Sequence, residues 1–443
     1  MTIPLRKPAP FVLLALFVVA ALMPAAIAAW GRDYWRPDEP DYAQHTREMV
    51  QRGDYVVPYQ NGVPFPEKPI LTYWAAAATT PFTGGDLTPF GSRVPSLVGT
   101  ILLVLVAVKA AAWLGAPRDR WLAGAAIAVA PLTFWQAQFL QMDALFSGLL
   151  AGALLVQLRL ENDDAPRPWL AFGGHVLLGL AVLTKGPLAI AISVLVAGVS
   201  VAATRSLRPV RVLYPVRAAI VVALVAAPWY VLAIRRFGWD YAYELLIRHN
   251  LVRFAAAWDH IHPFWYYAVE KVWVDFFPWT LPAVVAIVVL WRRGELAANP
   301  RLASVLRAVG AVFVLLSISR SKQGKYLLFL YPFVAAVLAL FVARMRGGGR
   351  CGASGPAGRA GNPGGPRDRS RPGGRRPSTR SRRGRCPPTR TSSRGSPYRS
   401  ASEPSWRSSS SPGGGGRSRG RRSRSPPGSG SRRRRSGRRA SLP

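Results

Sequence analysis

The chain of 443 residues contains two cysteines, five histidines and only 21 acids against 58 Lys and Arg. Both cysteines, Cys351 and Cys386, lie beyond residue 345. Residues 1–345 can therefore hold neither a disulfide framework nor a thiolate metal site. No glycine-rich loop of the phosphate-cradling kind is present. Aliphatic side chains are nearly missing from residues 346–443, which are built from Arg, Ser, Gly and Pro. That tail has 27 Arg, no Lys and two acids, Asp368 and Glu403, and so carries +25 of the net +37. The high isoelectric point is mostly a property of the tail and does not direct the functional reading.

Charge is scarce over most of residues 1–345, and what remains there is long apolar runs. A spanning helix needs roughly 20 mostly apolar residues. Ten runs qualify or come close: about 10–29, 93–115, 121–139, 143–159, 170–184, 187–204, 216–236, 278–292, 302–319 and 324–343. In lipid the backbone has to satisfy its own hydrogen bonds, which makes these runs helices. The expectation is an all-α, polytopic membrane protein with about ten transmembrane helices. The first run follows Arg6-Lys7, is long enough to span, and is followed by Trp30-Gly31-Arg32 rather than small residues. It reads as a retained helix, not a cleaved signal peptide.

Basic residues in short loops give the orientation. Arg6-Lys7, Arg118 with Arg120, Arg159 with Arg167, Arg205 with Arg208 and Arg211, Arg292-Arg293 with Arg301, and Arg344 with Arg346 occupy alternate loops, which read as cytoplasmic. The opposite set is the loop 30–92, the junctions near 140–142 and 185–186, the loop 237–277 and the segment 320–325. These outward loops hold many cations too, among them Arg32, Arg36, Lys68, Lys185, Arg248, Arg253, Arg320, Lys322 and Lys325. Cations on the translocated side run against the usual bias. An anionic ligand such as a phosphate accounts for them, as does pairing with headgroups or local acids.

The loop 30–92 has structure of its own. Pro37-Asp38-Glu39 opens a helix that Gly53 closes, with Glu48 and Arg52 spaced as an i,i+4 ion pair. It reads as an amphipathic surface helix. A turn follows at Asn61-Gly62, and the apolar segment 70–78 is too short to span. Asp38 and Glu39 stand where the chain leaves the first helix. A carboxylate there can act as a general base, or Asp38 can simply cap the surface helix. Lys68 can meet a phosphate oxygen or snorkel at the interface. Lys185-Gly186-Pro187 interrupts two apolar runs. The loop 237–277 carries His249, His260 and His262 among many aromatics, most of them belt residues by type. His260 and His262 with Glu67 suit a divalent metal such as zinc.

In this order the pieces resemble the GT-C membrane glycosyltransferases of the protein O-mannosyltransferase and lipid A aminoarabinose transferase group. The stretch RPDEPDYAQHTREMVQRGDYVVPYQNGVPFPEKPILTYW, Arg36 to Trp74, is similar to that family's first outer loop. Further similarity lies in Gln141-Met142-Asp143, Leu183-Thr184-Lys185-Gly186-Pro187, Pro228-Trp229-Tyr230, Arg248-His249-Asn250, His262-Pro263-Phe264-Trp265-Tyr266-Tyr267 and Lys325-Tyr326-Leu327-Leu328. The resemblance implies a GT-C fold over residues 1–345 and a sugar moved from a polyprenyl-phosphate donor to a lipid or envelope acceptor on the outer face of the inner membrane. It implies that Asp38 is the general base, with Glu39 beside it. Lys68 would contact the donor phosphate, and Lys185, Arg248, Arg320, Lys322 and Lys325 would add positive charge around it. Glu67 with His260 and His262 would match a metal-associated cluster, although the chemistry requires no cofactor. Chemistry outside the cytoplasm has no nucleotide donor, in keeping with the missing glycine loop.

A transporter or flippase of an anionic lipid is the alternative. It calls for charges in mid-helix or internal repeats of broken helices, and the sequence shows no such repeat. From about Arg346 the resemblance stops. The composition of 346–443 is that of a GC-rich coding region read in the wrong frame, and the rival reading is a disordered basic tail for anionic headgroups or nucleic acid. No specific nucleic-acid partner is expected; the expected partners are the sugar donor, the acceptor and membrane lipids.

Overall fold

The computed structural model describes residues 10–35, 37–165, 167–252 and 260–348. The tail beyond residue 348, together with Arg36, Arg253 and the first nine residues, lies outside the described residues. Every apolar run of the sequence is helical. The helices are α1 (Pro10–Trp30), α2 (Asp38–Arg52), α3 (Leu71–Ala77), α4 (Pro89–Leu114), α5 (Arg120–Val129), α6 (Pro131–Ala137), α7 (Met142–Asn162), α8 (Pro168–Lys185) and α9 (Leu188–Thr204). After them come α10 (Arg208–Arg211), α11 (Pro215–Ala242), α12 (Val272–Asp275), α13 (Thr280–Arg292), α14 (Glu295–Ala298), α15 (Pro300–Ile318) and α16 (Tyr331–Gly348). Among the described residues, seven helices are long and apolar enough to cross a membrane, and a bent pair, 267–275 with 280–292 at 114°, makes an eighth if it is counted as one broken span. The expected spans at 121–139 and 187–204 are shorter: α5 breaks before Pro131, and α9 has 17 residues.

Helix α7 is the centre of the bundle, with 83% of its span buried in protein, against 17% for α1 at the edge. Small residues let α7 and α4 touch along their backbones. An added Cβ at Gly99 would stand 2.3 Å from the Ala144 carbonyl group, and one at Gly148 would stand 2.4 Å from the Gly99 oxygen. Such small-residue contacts are the usual means of close helix packing in membranes. This contact fixes the start of α7, where Asp143 lies.

The loop between α1 and α4 folds over one end of the bundle. Gly53 closes α2 with φ 62°, donating its N–H to the Val50 carbonyl. A two-residue hairpin follows, β1 (Tyr59–Gln60) with β2 (Val63–Pro64), turned at Asn61 and Gly62, both with positive φ. That is the geometry for which Asn-Gly is favoured. Glu48 accepts from the N–H groups of both turn residues, at 2.6 and 2.9 Å, and also pairs with Arg52 at 3.8 Å. The hairpin is tied down further where Trp229 Nε1 donates to the Val56 carbonyl at 2.6 Å and Arg236 pairs with Asp54 at 2.8 Å, both from α11. At the other end of the bundle, acids and arginines of the short loops pair among themselves: Asp163 with Arg167 and Arg301, Arg346 with Asp119, and Arg344 with Glu295.

Gly99→Val should lower stability by about 2 kcal/mol or more, because its side chain has no room beside α7. Thermal unfolding of the detergent-purified protein measures this, and an unchanged midpoint would show that the two helices separate freely.

Candidate active site

Two buried groups organise the loop end. Glu39, in the first turn of α2, is fully buried against Arg93 of α4, itself fully buried. Its carboxylate accepts from Arg93 Nε at 2.8 Å and Nη2 at 3.0 Å, from Arg32 Nη1 at 3.0 Å, and from the N–H groups of Trp35 at 2.8 Å and Leu140 at 2.9 Å. Arg93 also donates to the carbonyls of Ala29, Arg32 and Asp33. Burial alone would raise the Glu39 carboxyl, but the Arg93 and backbone hydrogen bonds outweigh it and hold the group below the usual carboxylate range. Glu39 was expected beside Asp38 as a second acid of the reaction. Its five donors leave it no free face, and its place is structural.

This knot fixes two strips of chain. One is the exit from α1, which delivers Asp38 at the start of α2. The other is residues 138–141, held through Leu140, through Arg32 to the Gln138 carbonyl at 2.5 Å, and through Ser96, whose hydroxyl donates to the carbonyls of Phe139 and Gln141. The two strips meet where Gln141 Nε2 donates to Asp38 Oδ2 at 2.7 Å. From there a chain of charges runs inward. Lys325 Nζ lies 3.8 Å from Asp38 and 3.5 Å from Asp143, and Asp143 is bound by Lys185 at 2.5 Å. The Lys185 ammonium also sits 4.3 Å over the Tyr326 ring. Asp38 is the accessible end, with its side chain 46% exposed, whereas Asp143 is 5% exposed.

A cavity of about 370 Å³ opens beside this chain, lined at its polar side by Glu67, Lys68, Lys185, Lys325, His249 and Asn250. Its other walls are apolar, including Leu188, Leu316 and Phe329. Gly186, with φ 97°, makes the turn that sets Lys185 at the rim, and Asn250 fills the space where a Cβ would point. Lys68, Lys185 and Lys325 thus come together from three parts of the sequence.

Other expected residues are placed elsewhere. Arg248 pairs with Glu244 at 2.8 Å, and Arg320 is exposed. Lys322 was expected at the phosphate, but it is buried and its ammonium donates to the His262 carbonyl at 2.9 Å and to the Ser319 carbonyl. With its backbone N–H on the His260 carbonyl, it stitches the loop 260–262 to the segment 319–322. His260 is exposed, and the His262 ring stacks on Tyr266 at 3.8 Å. Among the described residues, no three of His, Cys, Asp and Glu gather as metal ligands, so Glu67, His260 and His262 do not form the expected metal set. Asp143, Gln141 and Arg93 were not singled out as site residues. The available signal was a lone acid opening one apolar run and a lone arginine opening another, both costly inside a membrane unless used.

Residues 11–237 match the family described as dolichyl-phosphate-mannose-protein mannosyltransferase. The chain belongs to this family. Relatives named undecaprenyl phosphate-alpha-4-amino-4-deoxy-L-arabinose arabinosyl transferase include proteins of Serratia proteamaculans, 32% identical over 340 residues, and Edwardsiella ictaluri, 31% identical over 344. Those alignments cover 75% and 76% of this chain, and the chain spans 58–60% of the length of these relatives. The crystal structure of ArnT from Cupriavidus metallidurans bound to undecaprenyl phosphate is similar, with 26% identity and a TM-score of 0.68, covering 76% of this chain and 61% of that one. Archaeal oligosaccharyltransferase AglB from Archaeoglobus fulgidus, at 12% identity and a TM-score of 0.50, covers 80% of this chain and 53% of its own; it shares the fold. With its family and its apolar helices, the protein is a multi-pass, all-α membrane protein of GT-C type.

Glu39→Gln should destabilise the fold by about 3 kcal/mol at neutral pH, since it leaves Arg93 buried without its counter-charge. Because the folded carboxyl lies below its ordinary value of 4.5, its contribution is complete above that pH and is lost as pH falls through the lowered value. Unfolding midpoints of both proteins, followed into acid, should therefore converge. A constant gap would refute the ionised pair.

Proposed function

We propose that this protein transfers a sugar from a polyprenyl-phosphate donor to an oxygen of a lipid or other envelope acceptor, on the outer face of the cell's inner membrane. The observation that carries the reading is the half-exposed Asp38 beside a cavity edged by three lysines from separate segments. Relatives named for transfer from undecaprenyl phosphate, and an ArnT structure bound to that lipid, support it.

In this scheme the donor phosphate lies among Lys68, Lys185 and Lys325. Asp38 Oδ2 is held by Gln141, which leaves Oδ1 to take the proton of an acceptor hydroxyl. The acceptor oxygen bonds to the anomeric carbon as the bond from that carbon to the phosphate oxygen breaks. The electron pair leaves on the polyprenyl phosphate, whose charge the lysines neutralise. Such a leaving group is already good, so positioning and charge neutralisation are the main tasks. Asp143, tied to both Lys185 and Lys325, holds the two ammonium groups in place. The apolar wall of the cavity suits the first isoprene units. No step calls for a metal ion or cofactor.

Incubation of the purified protein with radiolabelled lipid-linked sugars and envelope lipids tests the proposal. Asp38→Asn should lower transfer by about 10²–10⁴-fold, the usual range for a lost general base, while the protein stays folded in the membrane. Lys68→Ala should raise the donor KM. Transfer at the wild-type rate by Asp38→Asn, in a preparation shown to be active, would remove the base assignment.

A further inference from the structure

A second cavity, of about 790 Å³, lies between α7, α8, α9 and α11. Its walls are apolar, with Leu178, Val194 and Val222 among them, and they extend from Leu213 and Pro215 at one end to Pro187 and Tyr230 at the other. Pro187 also lines the lysine-edged cavity, so the Leu213 end is the one remote from the candidate active site.

At that remote end two polar groups have unmet hydrogen bonds. His175 of α8 lines the cavity and is 6% exposed. Its Nε2 lies 2.9 Å from the Leu213 carbonyl oxygen, and its Nδ1 has no partner. Arg217, in the first turn of α11, donates through Nη2 to the Pro168 carbonyl, while its Nε is buried with no partner. Pro215 and Ala218, on either side of Arg217 in sequence, line the cavity. With Nε2–H given to a carbonyl, a neutral imidazole presents Nδ1 as an acceptor. Arg217 is not itself a wall residue, but its charge stands close enough to act on His175, so the mouth of the groove pairs a guanidinium with an acceptor for a hydroxyl. Exposed Arg205 and Arg211 in the same short loop add positive charge.

We propose that this groove binds an anionic glycerophospholipid with a hydroxylated headgroup, of the phosphatidylglycerol class, from the cytoplasmic leaflet. Arg217 holds the phosphodiester, His175 Nδ1 accepts from a headgroup hydroxyl, and an acyl chain lies along the apolar wall. Basic pockets between helices on the cytoplasmic side are a recurring form of anionic-lipid site. A polyprenyl phosphate carries no headgroup alcohol for His175, and the lysines that suit its phosphate stand at the other cavity. The inference is independent of the sugar-transfer reading.

Photoactivatable phosphatidylglycerol, with its reactive group in the acyl chain, tests this on the full chain in nanodiscs. Peptide mapping should place the crosslinks on α8 and α11 around Leu178 and Val222, which separates them from any lipid held by the arginine-rich tail. Arg217→Ala should lower this labelling at least tenfold. His175→Phe should lower it too, with the elution profile and unfolding midpoint reporting that each variant is folded; Arg217→Lys should restore part of the signal. The proposal is overturned if photoactivatable phosphatidylethanolamine labels the same peptides equally, if folded Arg217→Ala labels like wild type, or if unlabelled polyprenyl phosphate competes and phosphatidylglycerol does not.

Discussion

The guanidinium of Arg93 against the carboxylate of Glu39 is the contact on which the loop end of this protein depends. Neither group reaches water. A buried ion pair repays its desolvation only when its remaining donors and acceptors are also satisfied, and here five donors converge on one carboxylate while the arginine closes three backbone carbonyls. Such a pair adds little net stability over an apolar core of the same shape. Its value is geometric: it holds the exit of α1, the start of α2, the start of α4 and the strip 138–141 in one arrangement. Asp38 follows from the first of these and Gln141 from the last, and their hydrogen bond is a consequence of the knot behind them.

Much of this was legible in the sequence, for identifiable reasons. Apolar runs report helices in lipid because few other structures satisfy the backbone there, and each run is helical, although 121–139 breaks in two at Pro131. The α2 boundaries followed from local chemistry, Pro and acids at the start and glycine at the end, and the Asn-Gly turn did likewise. Lys68, Lys185 and Lys325 could be named because each interrupts or borders an apolar run. What failed was long-range. Nothing in the residues around Lys322 reveals that its ammonium meets the carbonyl of His262, sixty positions away, and residues 319–325 read as one uniform basic cluster. Glu39 and Asp38, adjacent in sequence, differ only because a helical turn sends one inward and leaves the other at the rim. Two histidines two residues apart suggested a metal pair, yet one ring is stacked on Tyr266 and the other is exposed.

The distribution of charge separates the two ends of the bundle. At the loop end, acids nearly match cations, but the cavity itself is edged by Lys68, Lys185 and Lys325 against Glu67, with Lys185 and Lys325 sharing Asp143. At the opposite end, arginines outnumber acids on the surface, and Asp163 alone pairs with Arg159, Arg167 and Arg301. Surplus charge next to enclosed space is the form expected where a charged molecule, absent from the protein itself, completes the pairing.

Helix α11 joins the outer-loop hairpin to the lysine-edged cavity. Up to Arg236 it is pinned to the hairpin of the outer loop through Trp229 and Arg236. At Gly238 the helical dihedrals break, with φ 78° and ψ −170°, and the chain then runs as a π-helix over Tyr243–Val252, carrying His249 and Asn250 to the cavity. Wide π turns are rare and often mark functional sites, and this one brings His249 and Asn250 to the lysine-edged cavity. One helix thus serves two ends: before Gly238 it anchors the outer loop, and after it the same chain supplies part of the cavity wall, so a shift in the loop's anchorage would be felt where the charged ligand binds.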